Sequence, residues 1–568
     1  MLVNDGLYQT GFAVEKIGGL ENPYYSTVTN RAMVPAGVTV QSINGPAVTV
    51  ISGSGGVRCV GLPLRAVLSG FTLTNGMAGW IQAINPGGRM ETNAIDGGGV
   101  SATLEWSTLV RGGVVTNCVI GGCRSTGNGG GAASVELINC VLKGNQAIMS
   151  GGGAFVCSMT NCLVTENEVL DSPKLIAPGE TPPAAGVGGG ICECQAFNCL
   201  ITKNYAGMGG GAYTVPVAFG FNYSLFNCTI VSNSAAFYGG IDMNGGGVNC
   251  IIYYNSAGTN ANFGPDANGG YLNYCCTFPM PAGGSDDVTN DPDFVNLAGG
   301  DYHLTANSLL INSGQNSAVE SVGDFDGNPR VAGGTVDIGA YEYQTPVSVL
   351  SYAWARQYGF PTDGSADYLD PDGDGMNNWE EFVAGTNPTN AQSVLRMSKP
   401  DVYRPLNYVF VSWQSVTNRT YCLERSTNFL TGFTCLESNV TGWPDSTSFT
   451  DTRATGSETF FYRVGVKLEL EKLQIPSTKL QNSKCDRASL ELWSLEFGGW
   501  RFSGAWCLEF GALIQMQRLI QQLRQIAGER HVADGQCGSG FLRGGELCEG
   551  FFFGKSDDRD VRRGFTGL

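Results

Sequence analysis

The chain has 568 residues, 82 of them glycine, and is 42% hydrophobic and 15% charged. A chain of this length is too long to fold around one hydrophobic core. Its hydrophobic fraction excludes a disordered protein. A net charge of −17 would repel nucleic acid, so we expect no nucleic-acid partner. No apolar run approaches the roughly 20 residues of a membrane helix, so no transmembrane segment is expected.

The N-terminal residues from Met1 to Gly6 predict a strand and a turn, not a basic and then apolar leader. We therefore expect the signal peptide to lie upstream of Met1, and the protein to be extracellular or at the cell surface. Short strands are predicted at residues 38–40, 48–51 and 67–73. They indicate degenerate coils ahead of a clearer repeat.

The clearest repeat is an Asn-Cys pair followed by two residues drawn from Val, Leu, Ile and Thr. Successive pairs are 22, 22, 37, 29 and 22 residues apart, so a basal period of 22 carries insertions in two units. Cysteines that recur at one position favour thiols stacked inside a solenoid over a dense disulfide framework. The pairs start at Asn117, Asn139, Asn161, Asn198, Asn227 and Asn249.

Each unit also carries a glycine triplet and, in five units, a second Asn six residues after the first. Glycine permits sharp bends, and Asn accepts a left-handed bend while its amide can bond the equivalent Asn of the next coil. We therefore predict an all-β chain in which residues 1–300 form a right-handed parallel β-helix. The triplets begin at Gly97, Gly129, Gly151, Gly188, Gly209 and Gly245, and the second asparagines are Asn145, Asn167, Asn204, Asn233 and Asn255.

The units "GGGA…TNCLVTENE" and "GGGI…FNCLITKNYA" resemble the β-helix repeats of bacterial surface proteins, and are similar to polymorphic outer-membrane-protein repeats. Residues 301–346 end in "DIGAYE" and resemble the terminal segment of choice-of-anchor β-helix proteins. That resemblance implies a polar cap on the last open coil. A catalytic role for His303 or Asp326 is the alternative.

Residues 347–396 contain a candidate calcium loop, with acidic residues at loop positions 1, 3 and 5, glycine at 6 and glutamate at 12. Calcium takes six to eight oxygens, and alternate carboxylates on a tight loop supply several. The spacing predicts a structural Ca²⁺ site of modest affinity; the alternative is a solvated Asp-Gly turn. The predicted ligands are Asp370, Asp372, Asp374, the Met376 carbonyl, Asn378 and Glu381.

This loop resembles dockerin loops and bacterial thrombospondin type 3 repeats, although no second loop follows it. Alternating strands then predict a small β-sandwich over residues 397–466, with Cys422 and Cys435 as a possible disulfide. Residues 467–568 lack the repeat and the acidic balance of the preceding chain. We expect them to form a poorly folded tail.

Two long insertions, residues 169–187 and 213–226, fall on nearby coils, and long loops on a rigid scaffold concentrate function. Between residues 97 and 300 there is no His and no recurring pair of acids. We therefore expect an adhesion or polysaccharide-binding protein with a polysaccharide or cell-surface glycan as partner; the alternative is a secreted polysaccharide lyase or glycoside hydrolase of the pectin-lyase-like type. The candidate glycan-binding residues are Asp171, Lys174, Glu180, Tyr213, Phe219 and Tyr223.

Overall fold

A computed structural model describes most of the chain up to residue 506. The chain divides into Met1–Leu508 and Glu509–Leu568, and the second unit lies outside the described residues. The described residues are 1–17, 26–79, 81–84, 90–93, 95–102, 112–170, 186–214, 224–242, 246–264, 271–403, 408–417, 419–427, 432–454, 460–467, 491–497 and 500–506.

Short parallel strands stack from coil to coil into four sheets, named A to D in their order along one coil. The fold is a parallel β-helix.

Sheet A contains Ala13–Ile17, Ser26–Met33, Arg58–Gly61, Val100–Ser101, Ala132–Ala133, Ala154–Phe155, Ile191–Cys192, Ala212–Tyr213 and Ile241–Asp242; its first two strands pair antiparallel. Sheet B contains Leu2–Val3, Thr39–Ser42, Val67–Ser69, Val114–Thr116, Glu136–Ile138, Ser158–Thr160, Gln195–Phe197, Leu225–Phe226, Gly247–Val248 and Leu272–Asn273. Sheet C contains Gly6–Tyr8, Thr49–Ser52, Thr72–Thr74, Val119–Gly121, Val141–Lys143, Leu163–Thr165, Leu200–Thr202, Thr229–Val231, Ile251–Tyr253 and Cys276–Thr277. Sheet D contains Met77–Ala78, Arg124–Ser125, Gln146–Ala147, Glu168–Val169, Tyr205–Met208, Ser234–Phe237 and Ser256–Thr259. A hairpin of Ile81–Ile84 and Met90–Asn93 follows strand Met77–Ala78 in the chain.

The strand register places like residues over like along the solenoid. In sheet C, Ile120 aligns with Leu142, Leu142 with Val164, and Val164 with Ile201. These side chains are fully buried, and apolar side chains contributed by the sheets form one continuous core. A strand of three residues buries its apolar side chain only because the next coil covers it.

We expected the first asparagine of each unit both to adopt the left-handed backbone angle and to form the side-chain ladder, but the two asparagines have separate roles. Asn117, Asn139, Asn161, Asn198, Asn227 and Asn249 all adopt left-handed backbone angles, with φ between 52° and 55°, at the bend between sheets B and C. The second asparagines form the long side-chain ladder, in which Asn145 donates to Asn167, Asn167 to Asn204, Asn204 to Asn233 and Asn233 to Asn255. The predicted stacking of the first set at one bend is confirmed.

The glycine triplets turn the chain from sheet D into sheet A. At Gly151, φ is 64°, and a Cβ there would lie 2.3 Å from the Ala154 carbonyl oxygen. A Cβ on Gly152 would lie 2.4 Å from the Gly189 carbonyl oxygen of the next coil, so this corner has no room for a side chain. The triplet at Gly245 is an exception, because Gly247 begins a strand of sheet B and Gly239-Gly240 occupies the corner in that coil.

Buried cysteines line the bend that follows each first asparagine. The Cys140 thiol donates to the Ile138 carbonyl of its own coil at 3.3 Å and lies 3.4 Å from the Val115 carbonyl of the preceding coil. The same pattern recurs at Cys162, Cys228, Cys250 and Cys275. The expectation of stacked thiols is confirmed for this column, where the thiol is a small apolar group that also satisfies backbone carbonyls.

Residues 301–346 do not close the end of the solenoid as predicted but run along its side. The amide groups of Asn198, Asn227 and Asn249, on three successive coils, donate to the carbonyls of Gly323, Ala318 and Gln315. Apolar residues of this lateral segment pack with outward residues of sheet C in one cluster. Beyond the last coil, bridges at Ser285 and Val288 continue sheets B and C. The lateral segment and the strand before it contain Phe294–Asn296, Asp301–Leu304 and the 3-10 turn Asn316–Ala318.

Two helices and a β-sandwich follow. The helices are α1, Tyr352–Gln357, and α2, Asn378–Ala384. One sheet contains Asp401–Tyr403, Tyr408–Ser415 and Asp445–Asp451; the other contains Thr434–Thr441, Thr420–Ser426, Phe461–Lys467, Glu491–Phe497 and Trp500–Trp506.

All strand pairs of the sandwich are antiparallel, and its core includes the buried Trp413 and Tyr421. The Cys422 and Cys435 sulfur atoms lie 3.7 Å apart, whereas a disulfide bond measures about 2.05 Å. Glu491–Phe497 pairs with Phe461–Lys467, so this part of the tail that we expected to be poorly folded extends the sandwich. Trp500–Trp506 pairs with Glu491–Phe497 in turn, and the rest of the tail, apart from Lys467, lies outside the described residues.

Candidate functional site

The outer face of sheet A lies between the two corners at which the long insertions leave the solenoid. Strand Glu168–Val169 of sheet D precedes the first insertion, and the chain returns through the glycine corner into Ile191–Cys192 of sheet A. Strand Ala212–Tyr213 of sheet A precedes the second insertion, which leads into Leu225–Phe226 of sheet B. The two insertions therefore depart from opposite edges of sheet A.

Of the six predicted glycan-binding residues, the structure describes Tyr213. Its strand residue Ala212 points into the core, and alternation directs Tyr213 outward, where it is half-buried. The other five lie outside the described residues: Asp171, Lys174, Glu180, Phe219 and Tyr223.

Sheet A brings further polar and aromatic residues to the same face. Register aligns Phe155 with Cys192, Cys192 with Tyr213, and Tyr213 with Asp242 on four consecutive coils. Glu193 follows Cys192 at a left-handed bend, with φ 51°. The sequence carries a signal for most of these residues, because each outward position in coils 151–213 is the second residue after a glycine triplet.

The acids on this face sit in a partly dehydrated environment. Burial raises the pKa of Glu193. The pKa of Tyr213 is raised by burial and then by the charges of Asp242, Cys192 and Glu193. Tyr238 also has a raised pKa, through burial and the charge of Asp242. The strand register places Glu193 beside the coil that precedes Tyr213, and buried Asp242 on the coil that follows it.

The predicted calcium loop brings three carboxylates together. One carboxylate oxygen from each of Asp370, Asp372 and Asp374 lies within 4.8 Å of the others. The Gly373 and Gly375 backbone amides donate to the two Asp370 oxygens at 2.8 and 3.0 Å, which shapes the loop around that carboxylate. Glu381 is outside this group of three at that distance.

Three carboxylate oxygens of this loop and of Glu381 are buried. Among the described residues, Asp372 Oδ2, Asp374 Oδ2 and Glu381 Oε2 are buried and accept no hydrogen bond. Burial, followed by the charges of Asp372 and Asp374, raises the pKa of Glu381 to about 8. Burial also raises the pKa of Asp374 to about 6. Within the described part of the chain, no Lys or Arg forms a salt bridge with Glu381 or with the three aspartates of the loop. The donor set therefore fits a hard divalent cation.

The other two predicted ligands, Met376 and Asn378, contact other residues of the protein. The Met376 side chain is buried in the sandwich core, and its backbone amide donates to Asp374 Oδ1 at 2.8 Å. The Asn378 amide group donates to the Ala366 carbonyl at 2.8 Å, and its Oδ1 atom is buried without a partner. Asn377 caps α2 in a reciprocal capping box with Glu380, which fixes the helix that carries Glu381.

Arg419 connects α2 to both the sandwich and the solenoid. Its guanidinium donates to the Val383 carbonyl at 3.1 Å and the Phe382 carbonyl at 3.4 Å, at the C-terminal end of α2. Arg419 also lies near the side chain of Tyr274 on the last coil, where its charge acts to lower the pKa of Tyr274 against the effect of burial. One side chain thus links the helix of the calcium loop to the end of the β-helix.

His303 lies in the lateral segment between two carboxylates. Its Nδ1 atom is 2.6 Å from Asp301 and its Nε2 atom is 2.7 Å from Asp326, while its ring packs 4.1 Å from the Tyr341 ring. Burial acts to lower the pKa of His303, but the hydrogen bonds and charges of Asp301 and Asp326 raise it overall. With both ring nitrogens engaged, the imidazole ties residue 326 to strand Asp301–Leu304.

Comparisons with known proteins identify no family for this chain. No protein-family model matches the chain, and no curated protein matches it in sequence. Among solved structures, it is similar to the tailspike protein gp49 of Acinetobacter baumannii bacteriophage Fri1, a capsular polysaccharide depolymerase. The TM-score is 0.19 at 9% identity, over 89% of this chain and 72% of that chain, so no function is transferred from it. None of the helices in the described ranges has the length and apolar character of a membrane span.

Proposed function

We propose that the protein is an extracellular or cell-surface β-helix that binds a polysaccharide on the outer face of sheet A. The observation that carries this proposal is that half-buried Phe155 and Tyr213, two coils apart on sheet A, lie on either side of the coil that carries Glu193. Aromatic rings beside hydrogen-bonding carboxyl groups suit sugars, which have apolar ring faces and polar edges. A rigid solenoid holds these groups at fixed spacings.

Binding to immobilised polysaccharides tests this proposal, with released sugar measured in the same wells. We expect retention of the full-length chain on at least one polysaccharide and weaker retention of Tyr213→Ala. Tyr205→Ala is the matched control, because Tyr205 is also half-buried and lies outward on sheet D. Equal retention of both variants would place the binding surface elsewhere.

Polysaccharide cleavage is the second candidate, and the half-buried carboxyl group of Glu193 beside these rings favours it, because glycoside hydrolysis uses carboxyl groups. The measurement of released sugar distinguishes polysaccharide binding from polysaccharide cleavage. Binding with product release that Glu193→Gln abolishes would support cleavage, and binding without release would support adhesion.

We also propose that residues 370–381 hold a structural Ca²⁺ ion, bound by Asp370, Asp372, Asp374 and Glu381. The buried oxygens without partners support this proposal, since a cation would satisfy them and remove the repulsion among four acids. The affinity we expect is on the order of 10⁻⁴–10⁻³ M, as in extracellular modules. At tenfold saturation the ion would stabilise the fold by about 1.4 kcal/mol.

Limited proteolysis across residues 363–378 tests the calcium site. Calcium should slow cleavage, and magnesium should do so poorly, because Mg²⁺ demands a small octahedral site. Asp374→Ala should abolish the protection, whereas Asp363→Ala should retain it, since exposed Asp363 caps Ser365 outside the group of three. Equal cleavage with calcium and with chelator would identify an acidic turn without a metal.

A further inference from the structure

The β-sandwich turns one face of its three-stranded sheet to solvent. Along the central strand of that sheet, Tyr408–Ser415, every second side chain enters the sandwich core, and Val411 and Trp413 are fully buried there. The side chains between them point outward, and Phe410 is 43% exposed. The sandwich core therefore accounts for one side of this strand, and the other side is open to a ligand.

Three aromatic residues meet at one end of this outer face. Tyr403 of the edge strand aligns with Tyr408, and Phe410 lies two residues further along the central strand on the same side. Aligned residues of neighbouring strands have Cβ atoms about 5 Å apart, and two residues of a strand span about 7 Å. Tyr403 is 49% exposed and Tyr408 is half-buried, so the three side chains form one accessible aromatic patch.

Hydroxyl groups continue the face beyond the aromatic patch. The register aligns Phe410 with Thr450 and Ser412 with Ser448, and Thr450 and Ser448 are exposed. Aromatic rings beside hydroxyl groups suit a sugar chain, which has apolar ring faces and polar edges. Serine is depleted at protein–protein interfaces, so this composition favours a glycan over a protein partner.

We infer that the outer face of this sheet is a glycan-binding surface in addition to the one proposed on sheet A, and that a polysaccharide chain lies on it along strand Tyr408–Ser415. Sugar rings stack on Tyr408 and Phe410, and the hydroxyl groups of Ser412 and Ser448 bond the polar edge of the chain. This surface uses no residue of sheet A, so it goes beyond the proposed function and is tested separately from it.

Affinity electrophoresis in gels that contain hydroxyethylcellulose, xylan, mannan or pectin tests the inference. At least one of the four should retard the full-length chain, and Tyr408→Ala and Phe410→Ala should each weaken binding to that polysaccharide by about tenfold. Phe410→Trp should retain binding, because its ring can also stack on a sugar. Tyr271→Ala is the matched control and should change nothing, since Tyr271 is 55% exposed but lies beside strand Leu272–Asn273 of the last coil. An unchanged melting temperature shows that each variant is folded.

Combined variants distinguish the sandwich from sheet A. Adding Phe410→Ala to Tyr213→Ala should cause a further loss of about tenfold, because the two surfaces share no residue. A loss with Phe410→Ala and none with Tyr213→Ala would support the inference and contradict binding at sheet A.

Retardation that neither Tyr408→Ala nor Phe410→Ala changes would overturn the inference and leave the proposed function intact. Absence of retardation in all four gels would overturn both. Self-association that Phe410→Ala abolishes, measured by sedimentation, would assign this face to a second copy of the chain and overturn the inference.

Discussion

Replacing Asn204 by Ala should destabilise the solenoid strongly, because its fully buried amide joins three coils. Asn204 Oδ1 accepts from the Asn167 backbone and side-chain nitrogens, both at 2.9 Å. Its Nδ2 atom donates to the Val164 carbonyl at 3.0 Å and to Asn233 Oδ1 at 2.9 Å. Ala would leave the buried Asn167 amide and Val164 carbonyl without these partners. At about 1–3 kcal/mol for each, the expected loss is about 2–6 kcal/mol.

Urea unfolding followed by circular dichroism measures this loss. Asn204→Asp separates shape from hydrogen bonding, since it keeps the volume but lacks the amide donors, and it should also destabilise. Asn139→Ala is the control: Asn139 is exposed, and Ala there costs only the left-handed backbone angle, about 1 kcal/mol. If Asn204→Ala loses no more stability than Asn139→Ala, the ladder does not hold the coils together.

Three other changes test separate parts of the structure. The pKa of His303 is raised in the folded state, so protonated His303 stabilises the fold fully below its unfolded-state pKa of about 6.5. This stabilisation is lost as the pH rises through the folded-state pKa, and His303→Gln should abolish this pH dependence of the melting temperature. Cys199→Ala should lower the urea midpoint more than Cys199→Ser, because Ser retains a donor for the Phe197 carbonyl; equal midpoints would refute a bonding role. Arg419→Ala should speed hydrogen exchange at both α2 and residues 271–277, and a change confined to α2 would show that Tyr274 is not linked to it.

The repeat could be predicted because every coil of a parallel solenoid needs particular residues at its bends. Each bend needs a residue that tolerates a left-handed backbone, and Asn117 and its equivalents supply it. The sequence does not show which asparagine of a unit forms the side-chain ladder, since both are compatible with stacking. At the second bend the left-handed position belongs to the preceding residue, Glu166 or Lys203, and this leaves Asn167 and Asn204 free to bond along the axis.

The long-range packing could not be read from periodicity. Strand Glu491–Phe497 joins the sandwich by pairing with a strand that precedes it by about thirty residues, and no repeat marks that pairing. The lateral segment is similar: its contacts with Asn198 and Asn249 span more than sixty residues. Of the proposed glycan face, only Tyr213 could be predicted, because Phe155 and Glu193 lie on the sheet between the two insertions and not beside them.

The outward residues of the sheets nevertheless distinguish a covered face from an open one. In sheet C, outward residues change from exposed Lys143 in an early coil to buried Leu200, Val231 and Ile251 in later coils. Apolar side chains at outward positions require a cover, and the lateral segment supplies it. Since that segment occupies sheet C, a ligand of the later coils must use another face. We therefore propose sheet A, with half-buried Phe155 and Tyr213, as the face that binds a sugar chain.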